Sequence, residues 1–94
     1  MKTSDLEMEM RGWRRHLHQH PEFGFEEHKT SKFIREKLLQ FGFDNIKMGI
    51  GKTGVVATLS TGKEGGAIAL RADMDCLRIR ETTNLSYASS VDGL

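Results

Sequence analysis

Ala67-Ile68-Ala69-Leu70-Arg71-Ala72-Asp73-Met74-Asp75 is an almost unbroken apolar run that ends in two carboxylates two residues apart. An apolar run of this kind predicts a strand that is buried on both faces. Because side chains alternate along a strand, Asp73 and Asp75 would point to the same side. Carboxylates at the end of a buried strand are costly unless a metal ion, a hydrogen-bonded catalytic group or a turn compensates them. The two aspartates are therefore candidate functional residues, although solvated or turn-capping side chains fit the pattern equally well.

Length and composition limit the classes of protein to consider. The 94 residues suffice for one small domain, and 29% charged with 37% hydrophobic residues is an ordinary globular composition. A formal net charge of +1 gives no reason to expect a nucleic-acid partner or a polybasic membrane patch. The single cysteine, Cys76, permits no internal disulfide, and no apolar run approaches the roughly 20 residues of a membrane span. We therefore expect a cytoplasmic protein.

Two helices and three strands are predicted in chain order. An apolar stripe predicts a first helix from about Ser4 to about Gln19, which Pro21 ends. A second stripe predicts a helix from about Glu26 to about Phe41. Strands are predicted at residues 45–50, 55–59 and 67–72, with the third as a hairpin partner of the second. This order predicts an α/β fold in which two N-terminal helices pack on a mixed sheet. The stripes consist of Leu6, Met10, Trp13 and Leu17 in the first helix, and of Thr30, Phe33, Ile34, Lys37, Leu38 and Phe41 in the second.

The segment Gly49-Ile50-Gly51-Lys52-Thr53-Gly54 matches the dinucleotide pattern G-x-G-x-x-G letter for letter. A dinucleotide fingerprint must open a helix, because the helix N-terminus meets the pyrophosphate. Here a predicted strand follows the last glycine. We therefore interpret these glycines as a turn between two strands and expect no nucleotide-binding residues.

Histidine and cysteine are weaker candidates for chemistry. His16 and His20 would share a helix face, but zinc needs three or four ligands and the sequence supplies no obvious third one near them. Histidines, including His18, are also favoured at a helix C-terminus by the helix dipole alone. Cys76 as a nucleophile would need a base, and no histidine is tied to it by spacing. We expect structural roles for all four residues.

Several segments together resemble a known family. Residues 14–27, R-R-H-L-H-Q-H-P-E-F-G-F-E-E, look like the opening of the metal-dependent aminoacylase/carboxypeptidase family. Residues 51–57, G-K-T-G-V-V-A, and residues 70–75, L-R-A-D-M-D, are similar to two further motifs of this family, and Tyr87-Ala88-Ser89 resembles the segment that leads to its metal site. The closest branch is the zinc-peptidase-like amidohydrolases that act on N-acyl amino acids, hippurate and indole-acetyl amino acids.

The resemblance implies that residues 1–94 are the N-terminal part of a catalytic domain. The remainder of that domain and a lid domain that often dimerises would be absent. It also implies that the complete enzyme hydrolyses a small N-acyl amino acid and uses two divalent metal ions, zinc or manganese, for this reaction. The complete enzyme would form homo-oligomers. The family's metal ligands and its general base would lie after Leu94. We therefore expect residues 1–94 to contain no identifiable metal ligand. The chain alone is expected to bind neither ion and to be inactive.

Only two residues of this chain match positions in the active site of the family. Asp75 matches an acidic residue that hydrogen-bonds and orients a metal-ligating histidine, whereas Asp73 stands where the wider family has a ligand histidine and is the weaker candidate. The family's proline is replaced by Arg78, which is expected to loosen a turn near the site. The alternative hypothesis is a non-catalytic interaction module that self-associates through an exposed sheet edge.

Overall fold

The computed structural model describes residues 3–94, which form two helices followed by a β-hairpin. Helix α1 is Thr3–Gln19 and helix α2 is His28–Gln40. Strand β1 is Asn45–Ile50 and strand β2 is Gly54–Thr58. The two predicted helices and the first two predicted strands are thus confirmed, to within two residues at most of their ends.

Helix α2 begins two residues later than predicted because its cap comes from an earlier loop. The carboxylate of Glu22 accepts hydrogen bonds from the backbone N–H groups of Thr30, at 2.6 Å, and Lys29, at 3.2 Å. These are two of the N–H groups that a helix start leaves without an intrahelical acceptor. Glu27, at the N-cap position, makes no side-chain cap hydrogen bond. Glu22, from the loop before α2, therefore supplies the side-chain cap of this helix.

The helices contact each other through aromatic side chains. The ring of Trp13 lies edge-on to Phe41 at 5.5 Å between centroids, and His16 stacks on Phe33 at 4.5 Å. The Lys37 ammonium group lies 5.5 Å from the Trp13 ring centroid and 5.2 Å from that of Phe33. The predicted inner stripe of α2, with Lys37 at its edge, is therefore the surface on which α1 packs.

The glycine-rich segment is the turn of the hairpin, as predicted. Strands β1 and β2 pair antiparallel from Asn45↔Thr58 to Ile50↔Gly54. The turn between them has positive φ angles at Gly51 (58°) and Lys52 (84°). Positive φ at successive residues is what a tight hairpin turn demands, and a glycine there removes part of its strain. A strand, not a helix, follows the turn, so it has no helix N-terminus to offer a pyrophosphate.

The predicted third strand does not form, and this prediction is wrong. Within residues 3–94 the sheet has two strands only, and residues 67–72 belong to neither a helix nor a strand. Ile68 is 93% exposed and Leu70 is 97% exposed. The predicted mixed sheet is therefore a two-stranded antiparallel one. A strand buried on both faces needs neighbouring strands and covering layers, and the described residues provide neither for this segment.

The segment after residue 75 returns to the start of the molecule. The Cys76 N–H donates to the carbonyl oxygen of Glu22 at 3.1 Å, within an isolated parallel bridge between Phe23 and Cys76. The Arg78 guanidinium lies 4.1 Å from the Phe23 ring centroid. Arg78, which stands where the family has proline, thus makes a contact with the loop that precedes α2.

The described part of the chain leaves much apolar surface open. Among residues 3–94 no hydrophobic side chain is buried, and the buried side chains are those of Glu27, Thr30, Ser31 and Thr53. The radius of gyration is 15.5 Å, whereas a compact domain of this length has about 12 Å. No described helix is long and apolar enough to cross a membrane.

Candidate functional site

Asp73 and Asp75 line one open groove together with residues of the hairpin turn and of the loop before α2. The groove has a volume of about 300 Å³, and its lining includes Glu27 and Thr53. Both aspartates are exposed to solvent. The structure thus brings the two predicted site residues to one surface and adds two residues that the sequence had not singled out.

Asp75 lies against the loop of residues 22–25. A β-carbon placed on Gly24 would lie 3.7 Å from Asp75 Oδ2, and the next residue, Cys76, is hydrogen-bonded to Glu22. No residue in the described range 3–94 donates a hydrogen bond to the Asp75 carboxylate. Its oxygens therefore remain free to accept hydrogen bonds from another group.

Asp73 has a different environment. Its Oδ1 lies 2.9 Å from Arg71 Nη2, and the two side chains are 69% and 87% exposed. An ion pair as exposed as this contributes about 0–1 kcal/mol. Asp73 is thus engaged with a neighbouring side chain on the surface.

A buried polar network supports the groove from below. The Thr53 hydroxyl donates to Glu27 Oε1 at 3.0 Å, and the Ser31 hydroxyl donates to the Thr53 carbonyl oxygen. Glu27 is 7% exposed, and Ser31 and Thr53 are 5% exposed. The network joins the N-terminus of α2 to the hairpin turn, 22 and 26 residues away along the chain. Sequence reasoning missed it, since polar residues at a helix start and in a turn normally signal solvent exposure.

Replacing Thr53 by valine is expected to lower the free energy of unfolding by about 1–2 kcal/mol, because the buried Glu27 carboxylate loses its donor. Valine has nearly the shape of threonine but lacks its hydroxyl, so the loss reports mainly the hydrogen bond to Glu27. Urea unfolding of the variant measures the change. Thr82→Val, at an exposed threonine, is the matched control and should change the free energy by less than about 0.5 kcal/mol. Equal stability of the two variants would contradict the role of the network.

Glu81 attaches the C-terminal segment to α1. Its carboxylate accepts hydrogen bonds from the Thr83 hydroxyl, from the Ser89 N–H at 2.8 Å and from His18 Nε2 at 2.9 Å. The hydrogen bonds from Thr83 and Ser89, followed by His18, hold the pKa of Glu81 below its ordinary value of 4.5. The Ser90 N–H and hydroxyl both donate to the Gln19 carbonyl oxygen at 2.8 Å. The sequence contained no signal for these contacts between residues far apart in the chain.

Acid is expected to release this attachment. A carboxylate with a lowered pKa stabilises the folded form above its unfolded pKa of 4.5 and loses that effect as the pH falls through its folded pKa. The amide resonance of Ser89 should therefore titrate with a midpoint below 4.5. Glu81→Gln should abolish the titration, and Glu64→Gln, in an exposed loop, should leave it intact. A midpoint at or above 4.5 would contradict the hydrogen-bond arrangement.

His16, His18, His20 and Cys76 each contact other parts of the chain, and their structural roles stay a prediction. His16 stacks on Phe33 and lies 4.8 Å from the His20 ring, while His18 contacts Glu81. Burial, followed by the negative charge of Asp75, raises the pKa of the Cys76 thiol. A raised pKa disfavours the thiolate that nucleophilic chemistry requires.

The described residues do not fit a metal centre. Across residues 3–94 no group of three or more His, Cys, Asp or Glu side chains is placed to hold a metal ion. Asp73 and Asp75 alone are too few ligands for a closed site. Any metal ion at this groove would need ligands from outside the described residues.

Comparison with known proteins identifies the fold. No family model matches the chain. The chain is 43% identical over 90 residues to hippurate hydrolase of Campylobacter jejuni, and 48% identical over 94 residues to N-acetyl-L-cysteine deacetylase of Bacillus subtilis. These matches cover 96% and 100% of this chain but 23% and 22% of the relatives. The crystal structure of a dinuclear metal-binding peptidase of the M20 family from Bacillus subtilis superposes with a TM-score of 0.89 at 41% identity, covering 98% of this chain and 26% of that one.

The two helices and the hairpin superpose on part of an M20 peptidase, as expected of an N-terminal fragment of an α/β fold. The chain is related to the metal-dependent aminoacylase/carboxypeptidase family, and the resemblance predicted from its motifs is confirmed. It spans about a quarter of the length of the relatives that it matches, and it corresponds to their N-terminal part.

Proposed function

We propose that this chain is the N-terminal part of the catalytic domain of a metal-dependent amidohydrolase that cleaves the amide bond of N-acyl amino acids. The observation that carries the proposal is the match of nearly the whole chain to relatives that act on hippurate and N-acetyl-L-cysteine. Both compounds are small N-acyl amino acids, so the shared chemistry is hydrolysis of an amide beside a free carboxylate. We place this activity in the cytoplasm, because the single cysteine needs no oxidising compartment. The family resemblance is the basis for proposing a homo-oligomer.

Asp75 is the residue of this chain that acts in the site. Its carboxylate is exposed in the groove and accepts no hydrogen bond from residues 3–94, while the backbone of the next residue, Cys76, is hydrogen-bonded to Glu22. A free carboxylate in such a position can accept the ring N–H of a histidine and fix its orientation and tautomer. Asp73 has the weaker claim to such a role, because it stands where the wider family has a histidine and its carboxylate already has a partner in Arg71.

The 94-residue chain by itself is inactive in this proposal. Residues 3–94 offer no set of metal ligands, so the two divalent ions, zinc or manganese, must be held by residues elsewhere in a family-length protein. Isothermal titration of the isolated chain with Zn²⁺ or Mn²⁺ should give only the weak binding of exposed histidines. A tight stoichiometric site that Asp73→Asn or Asp75→Asn abolishes would contradict this expectation.

A chimera tests the proposed activity directly. In it, this chain replaces the matched N-terminal quarter of the dinuclear metal peptidase from Bacillus subtilis. We expect the purified chimera to hydrolyse N-acetyl-L-cysteine or hippurate with added Mn²⁺ or Zn²⁺. We expect this hydrolysis to stop when a chelator is added. The isolated 94-residue chain is the control and should show no turnover. A folded chimera that hydrolyses neither compound, while the unaltered Bacillus protein does, would refute the proposal.

The second candidate function is a self-associating interaction module, which the exposed residues 67–72 favour. This function predicts dimers or larger species of the isolated chain at micromolar concentration. Sedimentation velocity distinguishes the two candidates. A monomer at all concentrations would count against the interaction module and leave the amidohydrolase fragment as the better explanation.

A further inference from the structure

Phe25 has an unusual backbone conformation in the loop that precedes α2. Its φ angle is 67°, in the left-handed region that bulky residues rarely adopt. It is the third residue of a turn that the Glu26 N–H closes by donating to the Phe23 carbonyl oxygen at 2.9 Å. Glycine or asparagine is the usual residue at this position when φ is positive. The glycine of this turn, Gly24, stands one position earlier, where φ is not positive. The turn itself therefore does not explain why phenylalanine occupies the strained position.

The Phe25 side chain is exposed beside the groove instead of being packed into the molecule. It is 65% exposed, and it lines the same groove as Asp73 and Asp75. The Lys52 ammonium group lies 5.4 Å from the ring centroid, within reach of a cation–π contact. Lys52 also has a positive φ angle, and among residues 3–94 the only other residue besides glycine with one is Asn84, whose type tolerates it. The two strained residues of the described chain thus meet at the groove.

The strain at Phe25 is not offset by burial. Most of the ring surface still contacts water, so little of the stabilisation that a buried aromatic side chain provides is realised. The cation–π contact with Lys52 is weak at a site as exposed as this one. Strained residues that the surrounding structure holds in place are concentrated at ligand-binding sites. The exposed ring of Phe25 is therefore a candidate for contact with a ligand.

The groove offers this ligand an apolar surface next to a carboxylate. Phe25, Ile50 and Met74 contribute apolar side chains to its lining, and Ile50 is 50% exposed. The volume of about 300 Å³ lies at the lower end of the range of small-molecule sites. A β-carbon on Gly24 would lie 3.7 Å from Asp75 Oδ2, and Phe25 is the next residue in the chain. An exposed aromatic ring thus follows directly on the residue that contacts the Asp75 carboxylate.

We propose that Phe25 forms one wall of the subsite for the acyl group of the substrate and favours substrates whose acyl group is aromatic. The inference rests on the proposed function, in which the amide bond is cleaved near Asp75. The substrates of that function include hippurate, whose amino acid is glycine, so that its apolar surface lies on the acyl side. The face of the Phe25 ring can pack on a benzoyl ring, and an aromatic pair is stabilised beyond the burial of its area.

A matched pair of ligands tests the subsite. Hippurate is N-benzoylglycine and differs from N-acetylglycine in the acyl group alone. We expect the chimera with the remainder of the Bacillus peptidase to bind hippurate more tightly than N-acetylglycine. Ligand-detected NMR measures both affinities with a chelator present, so that neither compound is hydrolysed. Phe25→Asn should reduce the preference for hippurate by about five- to tenfold, whereas Phe25→Tyr, which keeps an aromatic ring, should retain it.

Two controls distinguish ligand contact from a role in folding. Leu59→Asn is the same kind of substitution at a residue that is also 65% exposed but lies outside the groove, and it should leave the preference unchanged. Asparagine accepts a positive φ angle, so Phe25→Asn in the 94-residue chain should unfold at the same urea concentration or a higher one. A lower urea midpoint would mean that the ring serves the fold, and it would overturn the subsite.

The remaining outcomes also decide the matter. An equal loss of affinity for hippurate and N-acetylglycine in Phe25→Asn would overturn the subsite, because the ring would not contact the acyl group. A Phe25-dependent preference for N-acetyl-L-phenylalanine over hippurate would place the amino-acid side chain against the ring, and it would equally overturn the acyl assignment. A chimera that prefers hippurate through Phe25, but hydrolyses neither hippurate nor N-acetyl-L-cysteine with metal present, would refute the proposed activity and support the subsite.

Discussion

Asp75→Asn should lower the metal-dependent hydrolysis of N-acetyl-L-cysteine by the chimera by about 10–100-fold. The Asp75 carboxylate lies in the groove without a donor from residues 3–94, so its proposed partner is a histidine of the remaining polypeptide. Asparagine keeps the size of the side chain but removes the negative charge that fixes the tautomer and raises the basicity of that histidine. The measurement is kcat/KM at saturating metal, together with the affinity for Mn²⁺.

Two controls separate this role from a general effect of charge. Asp92→Asn, at a side chain that is 95% exposed and outside the groove, should leave kcat/KM unchanged. Asp73→Asn should have a smaller effect than Asp75→Asn, because Asp73 is paired with Arg71 on the surface. Wild-type activity of Asp75→Asn, or a larger loss for Asp73→Asn, would refute the assignment of Asp75.

Gly54→Ala is expected to lower the free energy of unfolding by about 3 kcal/mol. A β-carbon on Gly54 would overlap the carbonyl oxygen of Ile50, at a separation that real β-carbons essentially never show. Gly54 and Ile50 are the pair that closes the hairpin, so the backbone must shift where the turn begins and ends. That shift would also displace Thr53, whose hydroxyl is bonded to the buried Glu27.

The matched control is Gly12→Ala, in α1. A β-carbon at Gly12 meets nothing within 4 Å, and alanine is favoured over glycine inside a helix by about 0.5–1 kcal/mol. This variant should therefore gain stability where Gly54→Ala loses it. Urea unfolding measures both changes, and amide exchange of residues 45–58 should accelerate in Gly54→Ala alone. A neutral effect at Gly54 would mean that the hairpin adapts to a side chain at this position.

The local elements of this protein follow from its sequence. The apolar stripes and Pro21 determined both helices, and the glycines of residues 49–54 determined the hairpin turn. In each case the deciding interactions lie within a few residues of one another, so periodicity and turn chemistry suffice to predict them. The two aspartates were found in the same way, since their spacing is a local property, and the structure places both of them at one groove.

The long-range contacts were decided by the tertiary structure alone. Glu22 caps a helix that begins six residues later, Glu27 is bonded to Thr53 across 26 residues, and Glu81 is bonded to His18 across 63 residues. Each contact is made by common polar residues whose partners no local pattern specifies. The interior strand was misjudged for the same physical reason. Residues 67–72 have the composition of a buried strand, but a strand forms only where other parts of a chain supply hydrogen bonds at its edges and apolar cover on its faces.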